Sequence, residues 1–325
     1  MSFTKFFGAA GLSLALLTAA PVSAQTVKIA LDSAKDLENA GPYVWVHTFG
    51  QYLQEHGFAV EEFERGALGG EAEKMDQIQQ GLLEISSSDT KGVAALAPIL
   101  TPMILPFVIP SWDALDRALA SGILETANAQ ATAEGVRILG FSSLGGPVGI
   151  FNTKHPVNSA ADMADLRMRA LDDAQIAVYK LWGTTGTIVA WDEVPNALQT
   201  GIADGYVNPP LVPILFGHTG FIRYFTDARL SISTRTVIAS EEWYQGLTAE
   251  QRQIVDDAAA AATAASRVWQ ASRSAELDKL REAGVEVVEL TTEAWTEFRN
   301  RSMPVYSMMP MPEGTMDTWF AAVAE

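Results

Sequence analysis

The sequence predicts an α/β protein built from two interwoven lobes. Short segments at 27–31, 60–63 and 85–88 are candidate strands, and they alternate with segments of helical periodicity. Strands that alternate with helices of about 10–15 residues favour βαβ units and a mainly parallel sheet. The 325 residues suffice for about two domains. No linker, repeat or charge run divides the chain, so we expect the second domain to be interwoven with the first.

Each predicted element has local signals. Pro42 suits the first turn of a helix whose apolar residues keep helical spacing, and Gly57 ends that helix. Gly69 and Gly70 open a second helix. The other predicted strands are 137–141, 148–152, 166–170, 187–190 and 285–290. The other predicted helices are 172–182, 192–201 and one long alanine-rich helix over 249–282.

Residues 1–24 have the layout of a secretory signal peptide. Lys5 precedes an apolar run at 6–17, and residues 21–24 (Pro-Val-Ser-Ala) form a small-x-small cleavage pattern. A membrane anchor is the alternative, but the apolar run is shorter than the about 20 residues needed to span a bilayer. The absence of cysteine excludes a lipobox. We therefore expect cleavage near Ala24, export to the periplasm, and a product that is not embedded in the membrane.

The composition argues against several classes of function. The chain carries 39 acidic and 22 basic side chains and a formal net charge of −17, whereas nucleic-acid binding needs a concentrated basic surface. Without cysteine there are no disulfides, thiolate nucleophiles or Cys-ligated metals. No nucleophile elbow, phosphate loop or dinucleotide motif occurs. We expect no catalytic residue, cofactor or metal, and a periplasmic enzyme is the alternative class.

Arg169 is the first candidate for solute binding. It ends a predicted strand inside a mostly neutral segment. Its planar guanidinium matches the geometry of a carboxylate or sulfonate, to which it can donate two parallel hydrogen bonds. Taken alone, such an arginine is more often a surface residue or part of a structural ion pair.

The residues around Arg169 resemble a known family. Residues 167–169 (Arg-Met-Arg) are followed by 191–205 (Trp-Asp-Glu-Val-Pro-Asn-Ala-Leu-Gln-Thr-Gly-Ile-Ala-Asp-Gly) and then by Asn208-Pro209. This order resembles the signature of DctP-type solute receptors, which serve tripartite ATP-independent periplasmic (TRAP) transporters. The resemblance extends to 66–107 and to the long helix near 247–282, so it spans most of the chain after the signal peptide.

The resemblance implies a two-lobed periplasmic-binding-protein-like fold, with interwoven lobes and a long bracing helix, that closes around its ligand by a hinge. It implies that Arg169 pairs with the acid group of the ligand. It also implies that Asn208 is a second ligand-facing residue and that Trp191 packs on the ligand. The implied function is that of a monomeric receptor that delivers a small organic acid to TRAP membrane permease subunits, for uptake driven by an ion gradient.

One departure from the family bears on the ligand. Many members carry a further arginine in the strand where this chain has Gly149, and its absence puts dicarboxylates and sugar acids in doubt. Glu38, after the first strand, and Asp89, after the third, could supply acidic groups from the other lobe. Either could also be a solvated loop or cap residue. The candidate ligands are therefore a monocarboxylate, a sulfonate or a zwitterion.

The absence of a linker leads to a specific division of the chain. We expect 26–146 with 235–274 to form lobe I, and 147–234 with 275–325 to form lobe II. The alternative to a transport receptor is a ligand-sensing receptor that docks to a periplasmic sensor kinase domain. The sequence does not separate these two receptor functions.

Overall fold

The structure is a computed structural model that describes residues 26–272 and 275–324. The predicted signal peptide at 1–24 lies outside these residues. The strands are β1 (Thr26–Ala30), β2 (Ala59–Phe63), β3 (Ile85–Asp89), β4 (Val136–Ser143), β5 (Gly149–Asn152), β6 (Arg167–Ala170), β7 (Thr185–Ile188), β8 (Gly205–Asn208), β9 (Tyr224–Asp227), β10 (Thr234–Ser240) and β11 (Glu286–Glu289). The helices are α1 (Gly41–Glu55), α2 (Glu71–Gln79), α3 (Thr90–Leu96), α4 (Trp112–Ala118), α5 (Leu124–Ala133), α6 (Asp173–Trp182), α7 (Val194–Thr200), α8 (Val212–Leu215), α9 (Glu241–Gly246), α10 (Ala249–Ala271), α11 (Glu276–Glu282), α12 (Thr292–Ser302) and α13 (Thr315–Ala324).

The strands form two mixed sheets. The first has the order β2-β1-β3-β10-β4, and the second has the order β11-β9-β5-β8-β6-β7. In the first sheet β10 runs antiparallel to β3 and β4, and in the second β5 runs antiparallel to β8 and β9. The other strand pairs are parallel. The prediction of a mainly parallel sheet does not hold for β5 and β10, because each enters its sheet directly from the other sheet rather than through a crossover helix.

Two short connections join the sheets, one from β4 to β5 and one from β9 to β10. They are hydrogen-bonded to each other. The Leu144 N–H donates to the Ser233 carbonyl at 3.1 Å, and the Val148 N–H donates to the Ser231 carbonyl at 2.9 Å. The sheets therefore form two lobes that share paired connections, which is the interwoven two-lobed fold predicted from the sequence.

The long helix predicted over 249–282 is two helices in the structure. α10 ends before Ser272, whose hydroxyl donates to the Trp269 carbonyl at 2.7 Å, and α11 begins at Glu276. A serine side chain bonded to the backbone in this way competes with continuation of the helix. The Gly146 N–H donates to the Glu276 carboxylate at 2.6 Å, so a hydrogen bond joins the start of α11 to the β4–β5 connection.

α10 braces the first lobe by packing along α1. Pro42 lies in the first turn of α1, as predicted. Trp45 of α1 is fully buried, and its indole N–H donates to the Thr263 hydroxyl of α10 at 3.1 Å. This pair of helices covers one face of the first sheet with apolar side chains, among them Phe49 and Val255.

The C-terminal helices divide between the lobes. α12 packs on α6, where the Trp182 indole donates to the Ser302 hydroxyl at 2.8 Å. α13 packs on α4, and the buried Trp319 donates to the Ile99 carbonyl at 2.7 Å. α13, which the predicted division places in lobe II, thus packs on α4 of the predicted lobe I. The division of the chain into lobes stays a prediction.

Candidate functional site

A cavity of about 530 Å³ lies between the two lobes. The first lobe lines it with the segments that follow β1, β2 and β3, and the second lobe lines it with the segments that follow β6, β7 and β8. Ligands of α/β proteins commonly bind outside the carboxyl ends of strands, where loops bring polar side chains together. The cavity therefore occupies the position expected of a ligand site between two α/β lobes.

Arg169 lines this cavity as a buried cation without a carboxylate partner. Its side chain comes from β6 and the residue is 5% exposed. Its Nε donates to the Val189 carbonyl at 2.9 Å, and no acidic side chain in 26–272 or 275–324 forms an ion pair with it. Burial lowers the pKa of Arg169, although an arginine stays protonated at neutral pH. Tyr179, buried beneath the strand, donates to the Arg169 carbonyl at 3.0 Å and so positions it.

An aromatic wall stands beside this guanidinium. The Arg169 Cζ lies 5.5 Å from the centre of the Trp191 ring, and Trp191 packs edge-on against Phe216 with ring centres 5.2 Å apart. His218 packs behind Trp191, and burial lowers its pKa to about 4, so its ring is neutral near pH 7. Trp191 and Phe216 line the cavity and present it with ring surface rather than charge.

Asn208 lines the cavity from the end of β8, opposite Gly149 of β5. At Gly149 a Cβ atom would collide with the Phe225 ring and the Thr226 carbonyl. The family arginine missing at this position therefore has no room here. Asn208 supplies an uncharged hydrogen-bonding group on the side of the cavity where the family arginine would add a cation.

The two acidic residues selected from the sequence separate in the structure. Asp89 lines the cavity at the end of β3, and it also caps α3 by accepting from the Gly92 N–H at 2.8 Å. Glu38 is not among the described residues that line the cavity. Its carboxylate pairs with Lys279 of α11 at 3.2 Å and is 74% exposed. The side chain of Glu38 is thus directed toward α11, and its role in ligand binding stays a prediction.

The structure also brings to the cavity charged residues that the sequence analysis missed. Lys91 reaches across from α3 to the Leu171 carbonyl of the second lobe at 3.4 Å. Arg235 of β10 pairs with Asp32 at 2.7 Å. Asp32 immediately follows the first predicted strand, so the strand-end rule could have selected it. Nothing in the local sequence marks Arg235 as its partner.

A further ion pair connects the two lobes at the cavity. Arg65 follows β2 in the first lobe, and its Nη1 lies 2.6 Å from Oδ1 of Asp192 in the second lobe. The Arg65 guanidinium also lies over the Phe216 ring at 5.5 Å. Both members of the pair line the cavity, so the pair joins the two lobes beside the space that a solute would occupy.

We expect Arg65→Gln to speed release of bound solute by about two- to fivefold at low salt, because a partly exposed ion pair contributes about 0.2–1 kcal/mol. The effect should shrink at high salt, which screens such pairs. Asp192→Asn should have the same effect, and the double variant should be little worse than either single one. Stopped-flow dissociation kinetics measures this, with Arg301→Gln of an α12 ion pair as the control. Additive effects of the two substitutions would contradict the pairing.

Two other features are absent from the described part of the chain. Among residues 26–272 and 275–324, no three His, Asp or Glu side chains are grouped so that they could hold a metal ion. Within the same residues, no helix combines the length and apolar character needed to cross a membrane.

Two α/β lobes that enclose a cavity, with a buried arginine that no acidic side chain of the described residues pairs with, are the arrangement typical of a periplasmic solute-binding protein. The chain belongs to the DctP family, bacterial extracellular solute-binding protein family 7, whose sequence model matches residues 46–310. It is therefore a periplasmic solute-binding receptor of the TRAP type, as the resemblance implied.

Individual relatives agree with this assignment. The chain is 29% identical over 316 residues to the ectoine/5-hydroxyectoine-binding periplasmic protein UehA of Ruegeria pomeroyi, covering 94% of this chain and 91% of the relative. It is 27% identical to the ectoine-binding periplasmic protein TeaA of Halomonas elongata over 231 residues, which cover 67% of this chain and 65% of the relative. A TRAP periplasmic solute-binding protein of Polaromonas, bound to D-erythronate, superposes with a TM-score of 0.82 at 23% identity. The superposition covers 92% of this chain and 98% of the Polaromonas chain. That structural likeness supports the fold.

Proposed function

We propose that this receptor captures a small solute with one carboxylate and a compensating positive group, and delivers it to a TRAP membrane permease. The observation that carries the proposal is the buried guanidinium of Arg169, which faces the cavity without a carboxylate partner from the described chain. An arginine removed from water in this way is stabilised when an anion replaces the lost solvation. The carboxylate of the solute supplies that anion.

The balance of charge around the cavity supports a zwitterion rather than a dianion. The cationic lining residues are Arg65, Lys74, Lys91, Arg169 and Arg235, and the acidic ones are Asp32, Glu71, Asp89, Asp172 and Asp192. Three of each sign are already in ion pairs with one another. Asp89 and Asp172 remain on the acidic side, and Lys91 and Arg169 remain on the basic side. These remaining charges are balanced, so they suit a solute with one positive and one negative group better than a dianion.

The aromatic wall suits the same kind of ligand. Trp191 and Phe216 can pack on the apolar body of a small ring, and a cationic nitrogen near an aromatic face gains about 0.5–2 kcal/mol. Asn208 adds a directional hydrogen bond from the second lobe. The ectoine-binding names of UehA and TeaA agree with this chemistry, because ectoine is a cyclic zwitterion with one carboxylate.

A thermal-shift panel tests the proposal. Ectoine, butyrate, succinate and galacturonate are compared, and we expect ectoine to raise the melting temperature most and the dianion succinate least. A ligand at 100 times its Kd stabilises the folded protein by about 2.7 kcal/mol. The stabilisation at the same ligand concentration should be smaller in Arg169→Ala. Stabilisation by succinate but not by ectoine would contradict the charge argument.

We propose further that the solute leaves unchanged and that the receptor acts as a monomer. The family and the fold are those of binding proteins, which supports capture without conversion. Mass spectrometry of the ligand recovered after denaturation shows whether the solute is unchanged. Light scattering of the loaded receptor measures its oligomeric state. Recovery of a converted product would favour the enzyme alternative.

A further inference from the structure

One corner of the cavity is formed by charged and polar residues of the first lobe only. Asp32 and Ser33 follow β1, and Arg235 belongs to β10. The strand β3 lies between β1 and β10 in the sheet, so the pair Asp32–Arg235 reaches across the carboxyl end of β3. All three residues line the cavity, where they face the solute from the lobe opposite Arg169.

These residues have hydrogen-bonding capacity that the protein does not use. Asp32 is 3% exposed and Ser33 is 7% exposed. Both carboxylate oxygens of Asp32, the Ser33 hydroxyl and the Arg235 Nε are buried without a hydrogen-bond partner in the part of the chain that the structure describes. The Arg235 Nε and Asp32 Oδ2 are 2.7 Å apart, but they are not aligned as a hydrogen bond. Leaving such groups unsatisfied is costly, so a partner for them is expected from the contents of the cavity.

We propose that Asp32, Ser33 and Arg235 form a second subsite that binds a hydroxyl group of the solute while Arg169 holds its carboxylate. A hydroxyl can donate to the Asp32 carboxylate and accept from the Arg235 guanidinium at the same time. A second carboxylate would be repelled by Asp32, and an ammonium group would be repelled by Arg235. The inference rests on the proposed function, and it adds that the receptor prefers hydroxylated solutes.

Matched pairs of probes measure this preference. The first pair is 5-hydroxyectoine and ectoine, and the second is 3-hydroxybutyrate and butyrate, so each pair differs by one hydroxyl. In calorimetric titrations we expect the wild-type protein to bind at least one hydroxylated probe about tenfold or more tightly than its partner. A binding site with polar groups arranged for a hydroxyl discriminates strongly against the analogue that lacks it.

Substitutions connect the preference to these residues. Ser33→Ala, which removes only a hydroxyl, should reduce the preference for the hydroxylated probe. Asp32→Asn should bring the ratio of the affinities for the hydroxylated probe and its partner to within about threefold of one. Asp32→Asn should also increase the affinity for succinate, since Arg235 then has no neutralising partner. A purely structural ion pair would not produce that gain. The control is Asp116→Asn, which makes the same change in an arginine–aspartate pair outside the cavity lining and should leave the ratio unaltered.

The outcomes separate the subsite from the proposed function. If ectoine or butyrate binds and neither hydroxylated partner binds more tightly, the subsite is wrong and the proposed function stands. If the wild-type protein prefers a hydroxylated probe and this preference survives both Asp32→Asn and Ser33→Ala, other residues bind the hydroxyl. The proposed subsite is then also wrong. If none of the four probes binds the folded wild-type protein, both proposals are wrong.

Discussion

Arg169→Ala should weaken solute binding by roughly tenfold to several hundredfold while the protein remains folded. A hydrogen bond to a charged partner contributes about 1.5–3 kcal/mol, and each 1.4 kcal/mol is a factor of ten in affinity. Within the described chain the guanidinium donates one hydrogen bond to the backbone, at the Val189 carbonyl. Its removal should therefore destabilise the complex with solute more than it destabilises the folded receptor. Calorimetric titration with the best acid from the thermal-shift panel measures the change.

Two further variants show whether the geometry of Arg169 matters as well as its charge. Arg169→Lys keeps the charge but loses the planar fork, so it should recover only part of the affinity. Arg167→Ala removes an arginine two residues earlier on the same strand, where its guanidinium pairs with Asp204 at 2.9 Å outside the cavity lining. That variant should bind the solute normally. Nearly unchanged affinity in a well-folded Arg169→Ala protein would show that another group holds the anion.

Gly149→Ala should destabilise the fold by about 3 kcal/mol or more. The added Cβ would collide with the Phe225 ring and the Thr226 carbonyl, both on the neighbouring strand β9. Overpacking a well-packed core typically costs about 1–3 kcal/mol, and a clash with backbone is harder to relieve than one with a side chain. Gly149 also lies opposite Asn208, so any displacement of β5 moves a cavity residue. Urea unfolding measures the loss.

The matched control is Gly220→Ala, because a Cβ at that exposed glycine meets no atom within 4 Å. Its free energy of unfolding should change little. Gly149→Arg, which restores the arginine common in the family, should be at least as unstable as Gly149→Ala and should not confer tight binding of succinate. A stable Gly149→Arg protein that binds succinate would contradict the steric explanation for the missing arginine.

The elements that were predicted well depend on local signals. The helix that starts at Pro42 and the strands at 60–63 and 85–88 follow from periodicity and from helix-breaking residues, which act over a few positions. The break between α10 and α11 was missed, since an alanine-rich pattern runs through it and the cause includes tertiary contacts of Glu276. The antiparallel direction of β5 was missed for the same reason, because strand direction depends on which lobe the chain comes from. β10 was not predicted as a strand at all.

The candidate site divides in a similar way. Arg169, Trp191 and Asn208 were selected through a family motif that is contiguous in sequence, and all three line the cavity. The pairing of Asp32 with Arg235 depends on two strands far apart in sequence, and no local pattern encodes it. A position at the end of a strand is a signal that could have selected Asp32 and Arg65. Whether such a side chain then faces the cavity, as Glu38 does not, depends on the path of its loop.

The placement of β10 has a consequence for how the chain reaches its native state. β10 joins β3 to β4, so the first sheet cannot be completed until residue 240 is available, after most of the second lobe has been synthesised. Contacts between residues so distant in sequence make folding slow, because long loops must close before the contacts form. Strand exchange between the lobes therefore delays completion of the first lobe, and a fragment that ends before β10 leaves the first sheet without its connecting strand.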